Sequence, residues 1–525
     1  MAQEIELKLA LPESAHRNLL RHPLLRQATG KRSFRLVNLY YDTAELALRN
    51  HGVALRLRAQ GKRWLQTVKC AGSAAGGLSS RPEWETPYSG HFDFSAIDAP
   101  EVREWLERPK LKSRITPIFE TSFRRNAWIF EPIAGTRIEM VLDRGWIAAR
   151  GQRETIAEIE LELISGDEAQ LFALARQLAE RIPLTPAPLS KADRGYRLFR
   201  QESPAPVKAL PIPLAADDTP VAAFIRIALA CIDHLQRNHA GAATSDDPEY
   251  IHQMRVATRR LRAALRLFAP MLPPDFARYS VEPLRDLMAL LGQARDLDVL
   301  LAEIAEPVLA ALPDEPRLAA LVGIITERSF DRRRDAVAYL RAPAYGAIIL
   351  AMLETLHAEA KKTENVGAGE TAMSHPTPPT RATLAKFAGE RLQRLRKQVR
   401  KLAAAARIDD PPSLHALRIG IKRLRYALEF FAPLAAPKAM RRPVEQLVGL
   451  QEALGQINDL ANAGELLMDC ADDDARLREA VTLIGGWHGP RHQKLLAGIA
   501  VKLGKLGRLR LPELARERLG PKKGK

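Results

Sequence analysis

Near the start of the chain, Glu4, Glu6 and Lys8 alternate with Ile5, Leu7 and Leu9. Strict polar/apolar alternation is the period of a β-strand with one buried face, so two carboxylates and an ammonium share a strand face. Such a pair of carboxylates can hold a hard cation, and a lysine one step along can hold the anion that the cation binds. Taken alone, the stretch reads as an edge strand whose charges face water. What changes the reading is recurrence: Arg56 and Arg58, Lys69, Glu139 and Asp143, and Glu158, Glu160 and Glu162 follow at the same alternate spacing. Arg124 and Arg125 fall on opposite faces, and the shared parity of Thr121, Phe123 and Arg125 selects Arg125. Arginine grips phosphate oxygens bidentately, and carboxylate oxygens favour Mg2+ or Mn2+ over zinc. A cavity lined by both signs therefore suits a metal-chelated polyanion.

These side chains need strands to carry them. Short alternating segments separated by Gly-, Pro- and Asn-rich turns predict an antiparallel barrel or sandwich over residues 1–200. Its apolar faces would pack against outer helices, with Trp84 and Trp128 as outward core residues, and its charged faces would line a lumen. A proline-rich linker over 201–216 marks the boundary. Beyond it, over 217–515, the pattern turns helical, so the chain reads as α+β in two domains. An ungapped offset of 163 residues takes His252 to His415, Arg255 to Arg418, Phe224 to Phe387, Phe268 to Phe431, Gly292 to Gly455 and Asp296 to Asp459. The helical part is thus two copies of one unit, about 217–360 and 381–515, joined by an unstructured stretch from Thr363 to Thr380. Each copy carries a basic stripe at helical spacing: His252, Arg255, Arg259 and Arg262, continued by Arg266, and then His415, Arg418, Lys422 and Arg425. With few acidic neighbours, the two stripes read as a repeated anion-binding surface that a pseudo-twofold would bring to one groove. No aromatic residues interleave along them, which argues against nucleic acid. The histidines, flanked by arginines, read as phosphate donors or helix-end partners rather than metal ligands.

The formal charge of +17 and pI near 9.9 favour a polyanionic partner such as polyphosphate. Residues 1–200 hold 31 basic and 24 acidic side chains and the remainder 48 and 38, so both parts share the excess. Three scattered cysteines, charges starting at Glu4 and the lack of a bilayer-length apolar run predict a cytoplasmic protein with no membrane partner, which a polyphosphate partner would hold on polyphosphate granules.

The EIELK start, Arg56-x-Arg58, Lys69, Glu83, Arg125, Asp143, Glu158-x-Glu160 and Lys191 in Leu-Ser-Lys-Ala-Asp-Arg resemble the CYTH, or triphosphate tunnel metalloenzyme, family across residues 1–200. That resemblance implies an eight-stranded antiparallel barrel open as a tunnel. Metal would sit on Glu4, Glu6, Glu160 and further carboxylates from Asp143, Glu158 and Glu162. Triphosphate would be cradled by Lys8, Arg56, Arg58, Lys69, Glu83, Arg125 and Lys191, with Glu4, Glu6, Lys8, Arg56, Arg58 and Lys69 as the catalytic set and a two-metal hydrolysis. The HxxR repeat, with Gly-Gln-x-x-Asp following it, resembles the CHAD domain over about 217–510. This implies two four-helix bundles that bind inorganic polyphosphate. The pair resembles CYTH–CHAD inorganic triphosphatases. The alternatives are an adenylate cyclase, an organic triphosphatase such as a thiamine triphosphatase, or a non-catalytic polyphosphate receptor. Inorganic triphosphate asks only for the charged lumen.

Overall fold

The computed structural model describes residues 3–61, 63–273, 276, 282–367, 383–506 and 509–514. The chain forms two compact units. One comprises residues 1–207, 232–245 and 339–358, and the other 208–231, 246–338 and 359–525.

In the first unit the strands are β1 (Gln3–Ala10), β2 (Gly30–Asp42), β3 (Val53–Gln60), β4 (Arg63–Cys70), β5 (Ser73–Ala75), β6 (Leu78–Pro87), β7 (Thr116–Phe130), β8 (Arg137–Ala149), β9 (Gln152–Ser165) and β10 (Thr185–Pro186). Eight of them close a barrel in the order β1-β9-β8-β7-β2-β3-β4-β6 and back to β1; β5 and β10 flank it. β1 closes the ring by pairing on both edges, with β6 through Gln3–Leu7 and with β9 through Glu6–Ala10. Closure leaves none of these eight strands with a free edge. Directly opposed residues on antiparallel strands share a face. The register sets Glu6 opposite Glu162, Lys8 opposite Glu160, Lys69 opposite Glu83, Arg125 opposite Asp143, and Asp143 opposite Glu158. The charged positions therefore converge inward.

Outward, Val53, Leu55 and Val68 are buried beneath Phe94, Ile97 and Leu106, with Trp84 packed against that cluster. Helix α1 (Ala169–Ala179) buries Leu171, Phe172, Leu174 and Leu178 as it packs on β1 and β9. Trp128 is buried as well. The inward face, however, is not charged throughout. The same register carries Phe119, Phe123, Ile147 and Ile156 inward, where they meet Tyr40 and Tyr196 in one apolar cluster. Tyr196 belongs to α2 (Lys191–Phe199), which packs so closely that a Cβ on Gly195 would lie 2.2 Å from the Phe119 ring. The through-passage expected from the family resemblance is filled at this end.

After residue 207 the α-helices are α3 (Pro220–Thr244), α4 (Pro248–Phe268), α5 (Arg285–Val299), a π-helical stretch (Leu300–Ala305) leading into α6 (Glu306–Ala311), α7 (Pro316–Leu340), α8 (Pro343–Gly367), α9 (Leu384–Ala405), α10 (Pro411–Phe430), α11 (Pro437–Ala471) and α12 (Ala475–Leu506). The repeat offset aligns α3 with α9, α4 with α10 and α5 with α11, while α7 and α12 take the fourth place in each copy. The landmark phenylalanines are repeated because they build the core: Phe268 lies 5.0 Å from Phe387 and 5.9 Å from Phe431, centroid to centroid. Helix α8 has no counterpart among the described residues, and it corrects the expected linker, since Thr363–Gly367 are helical and 368–382 lie outside the described residues. Residues 232–245 and 339–358 belong with the barrel, because Asn238 and His234 bond the Val207 backbone at 2.9 Å and His357 stacks on Phe172. A Cβ on Gly346 would overlap the Leu184 carbonyl oxygen at 1.7 Å, so α8 approaches that segment through a residue without a side chain.

Candidate functional site

The unfilled part of the barrel encloses a cavity of about 530 Å³, lined by Glu4, Glu6, Lys8, Arg56, Arg58, Lys69, Glu83, Arg125, Glu160, Glu162 and Lys191. All of these were picked out from strand parity or family resemblance. Asp143 and Glu158 do not reach the cavity. They are buried behind its wall, where Lys191 Nζ bonds Glu158, lies 2.7 Å from Asp143 and lies 3.1 Å from Glu160. Lys191 arrives there because Ser190 caps α2 in a reciprocal capping box with Asp193. Arg125 adds a fork onto Asp143 at 2.8 and 2.6 Å and reaches Glu160 at 2.9 Å. Burial opposes charge on Lys191, yet Asp143, Glu158 and Glu160 raise its pKa. Burial likewise opposes charge on Glu160, and Lys191 and Arg125 hold it well below the usual carboxylate range.

Around the rest of the wall each sign also finds the other. Lys8 lies 2.5 Å from Glu6, and Lys69 lies 2.8 Å from both Glu4 and Glu83. Arg81, Glu85 and Tyr40 also line the cavity, and Arg81 bridges Glu4 at 3.1 Å and Glu6 at 2.6 Å. None of these three was singled out from sequence, although Arg81 and Glu85 share the parity of Glu83 on β6. Two groups are left out of balance. Burial, then Glu4, pushes Glu162 up to about 7. Burial, then Arg56 and Arg125, lowers Arg58 to about 10. Like charges thus crowd Glu162, beside Glu4 and Glu6, and Arg58, beside Arg56 and Arg125. The carboxylates of Asp143, Glu158 and Glu160 lie within 4.8 Å of one another and could share a cation, but Lys191 Nζ stands among them. Carboxylate oxygen is the donor type throughout, so the residues fit a hard divalent ion.

In the second unit, His252, Arg255 and Arg259 of α4 share a groove of about 180 Å³ with Arg295 of α5 and Arg418 of α10. Both copies do contribute to one surface. Arg262 and Lys422 lie instead in a neighbouring cavity of about 440 Å³, which shares Arg259 with the groove. The stripes are less free of acidic partners than their sequence implied. Arg255 bonds Asp296 at 2.7 Å, and Arg418 stands 3.9 Å from Asp459, which gives the repeated Gly-Gln-x-x-Asp aspartates their role. Two stripe residues line neither cavity. His415 bonds Asn458 at 2.8 Å, and Arg425 is tied to Gln451 at 2.9 Å and Glu429 at 2.6 Å. Burial, then Arg418, Arg259 and Arg255, lowers Lys422 to about 7.

The CYTH domain model matches residues 2–196 and the CHAD domain model matches residues 226–468. The chain is a CYTH domain followed by a CHAD domain. Over 198 residues it is 32% identical to an inorganic triphosphatase of Haemophilus influenzae, across 38% of this chain and 55% of that protein. The chain therefore spans about half the length of that curated relative. A solved CHAD domain from the plant Ricinus communis is 34% identical with a TM-score of 0.48, covering 59% of this chain and 99% of that one. A Hippeastrum adenylyl cyclase candidate reported to have a dominant triphosphatase activity is 19% identical with a TM-score of 0.27, covering 38% of this chain and 97% of that one.

Proposed function

We propose that the CYTH domain hydrolyses inorganic triphosphate to diphosphate and phosphate with Mg2+ or Mn2+, and that the CHAD domain binds inorganic polyphosphate. The observation that carries the first part is the lining of the lumen, where the carboxylates Glu4, Glu6, Glu160 and Glu162 share one cavity with Lys8, Arg56, Arg58, Lys69 and Arg125, as a cation-chelated phosphate chain requires. Glu4, Glu6, Glu160 and Glu162 would hold the cation, which supplies neutralisation of phosphate oxygens and acidification of a bound water. Lys8, Arg56, Arg58, Lys69 and Arg125 would take the phosphate oxygens, exchanging their present carboxylate partners for substrate. Because strands fix these cations, their backbone positions are set before substrate binds.

The inorganic substrate is favoured over a nucleotide or thiamine ester by what the lumen lacks among its described residues. Trp84 and Trp128 face outward. The aromatic side chains that line the cavity, Tyr40 and Phe123, are packed into the apolar cluster and offer no free stacking platform. Phosphate release from inorganic triphosphate, ATP and longer polyphosphate, with cyclic AMP measured alongside, tests the reading. Release confined to inorganic triphosphate is expected. Cyclic AMP formation, or faster turnover of ATP, would favour the cyclase or organic triphosphatase.

A further inference from the structure

The cavity of about 440 Å³ between α4, α9 and α10 differs in kind from both the lumen and the groove. Six cations line it (Arg259, Arg262, Arg266, Arg391, Lys422 and Arg423) and no carboxylate does. None of the six makes an ion pair among the described residues. The buried Nε atoms of Arg259, Arg391 and Arg423 have no hydrogen-bond acceptor, and neither does the buried Tyr426 hydroxyl have a partner. Beneath the cations the wall is apolar, formed by Leu267, Leu395, Ile419 and Phe430.

The internal repeat shows that this is not simply what the fold gives a basic helix pair. The offset of 163 carries Arg266 onto Glu429 and Arg391 onto Ala228. In the other copy Glu429 neutralises its surroundings, bonding Arg260 at 3.0 Å and Arg425 at 2.6 Å. One of two related faces has four cations (Arg259, Arg260, Lys422 and Arg425) and the carboxylate of Glu429, while the other has six cations and no carboxylate. Half-buried cations crowded together, three of them with a buried Nε that lacks an acceptor, repel one another unless an anion completes them. Inorganic polyphosphate would satisfy the charges but leave the apolar wall unused.

We propose that this cavity is a separate site for an organic phosphate, an anionic phosphate group carried on an apolar or aromatic body. The phosphate oxygens meet the arginines and Lys422, and the body lies on Leu267, Leu395, Ile419 and Phe430. The volume is in the ordinary range for small-ligand pockets, which runs from about 300 to 1,000 Å³. Lys422, already lowered to about 7, takes up a proton as the anion arrives.

Calorimetric titration of the full chain with ATP, with lysophosphatidate below its micelle concentration, and with inorganic polyphosphate tests this. Two variants serve. Arg266→Glu gives this face the charge of its counterpart, and Ile419→Glu places a carboxylate on the apolar wall at a position exposed enough to keep the fold. The expected result is that one organic probe binds and that each variant weakens it about tenfold or more, a loss of about 1.4 kcal/mol, while polyphosphate binding changes less than about twofold. Which probe responds identifies the body. The proposal is overturned if neither organic probe binds, if the variants bind it as the parent does, or if polyphosphate is weakened equally.

Discussion

Lys191 gives the sharpest test of how the barrel wall is held together. Its ammonium serves Asp143, Glu158 and Glu160 at once, and its side chain is 9% exposed. Lys191→Met keeps the volume but leaves three carboxylates within 4.8 Å of one another, with Arg125 on Asp143 and Glu160 and Arg194 on Glu158 to offset them. Removing one partner of a buried ion pair destabilises by about 3–5 kcal/mol. For a unit of this size each kcal/mol moves Tm by about 2–4 °C, so a fall of roughly 6–20 °C is expected at pH 7 in chelator. The sign of the pH dependence is specific. In the parent, Glu160 is depressed, so its contribution is present above its unfolded value and is lost as pH falls through the folded pKa. Lys191 is raised, so its contribution is fully present below its unfolded value and persists until the folded pKa is passed. In the variant the crowded carboxylates take up protons instead, so its deficit shrinks as pH falls from 7 towards 4. Mn2+ added at pH 7 should restore part of the loss by occupying the carboxylates that the ammonium vacated. Thermal denaturation followed by circular dichroism reads all three effects. A deficit below about 1 kcal/mol at pH 7, or one that grows on acidification, would refute the reasoning.

Arg81→Ala should raise KM for triphosphate about tenfold or more, the effect of one charge-assisted contact; it should also tighten divalent-ion binding, because Glu4 and Glu6 lose a shared counter-charge; metal titration and steady-state kinetics separate the two. Affinity for an organic phosphate in the cavity between α4, α9 and α10 should fall as pH rises through about 7, since Lys422 must be protonated to bind, and the dependence should flatten in Lys422→Met. Arg255→Ala and Arg418→Ala should weaken polyphosphate binding and lower its salt slope, whereas Arg425→Ala should leave both nearly unchanged, because Arg425 is held by Gln451 and Glu429.

Strand parity made most of the lumen legible. Residues two apart on β1, β3, β6 and β9 must share a face, and closure of the ring makes that face the interior. Parity does not give depth, which is why Asp143 and Glu158 read as open ligands although they lie behind the wall. Nor does it reveal that Phe119, Ile147 and Ile156 share the inward face, since an apolar residue at an inward position looks like core in either direction. Arg81 is readable on the same parity as Glu83, but it stands outside the family pattern. In the helical part the repeat was legible because its phenylalanines and Gly-Gln-x-x-Asp motifs carry the core and the arginine partners. Helix α8 was not, because nothing in the second copy echoes it. The fates of His415 and Arg425 were set by Asn458 and Gln451 on another helix, and spacing along one helix cannot show such partners.

The central claim is that Glu4 and Glu6 make the lumen a cation-dependent triphosphatase site. Phosphate release from inorganic triphosphate by the full chain, in Mg2+ or Mn2+ and beside Glu4→Gln and Glu6→Gln, tests it most directly. Release by the parent that stops in chelator and in both variants is predicted. No release by the parent with either ion, or undiminished release by the two variants, would contradict it.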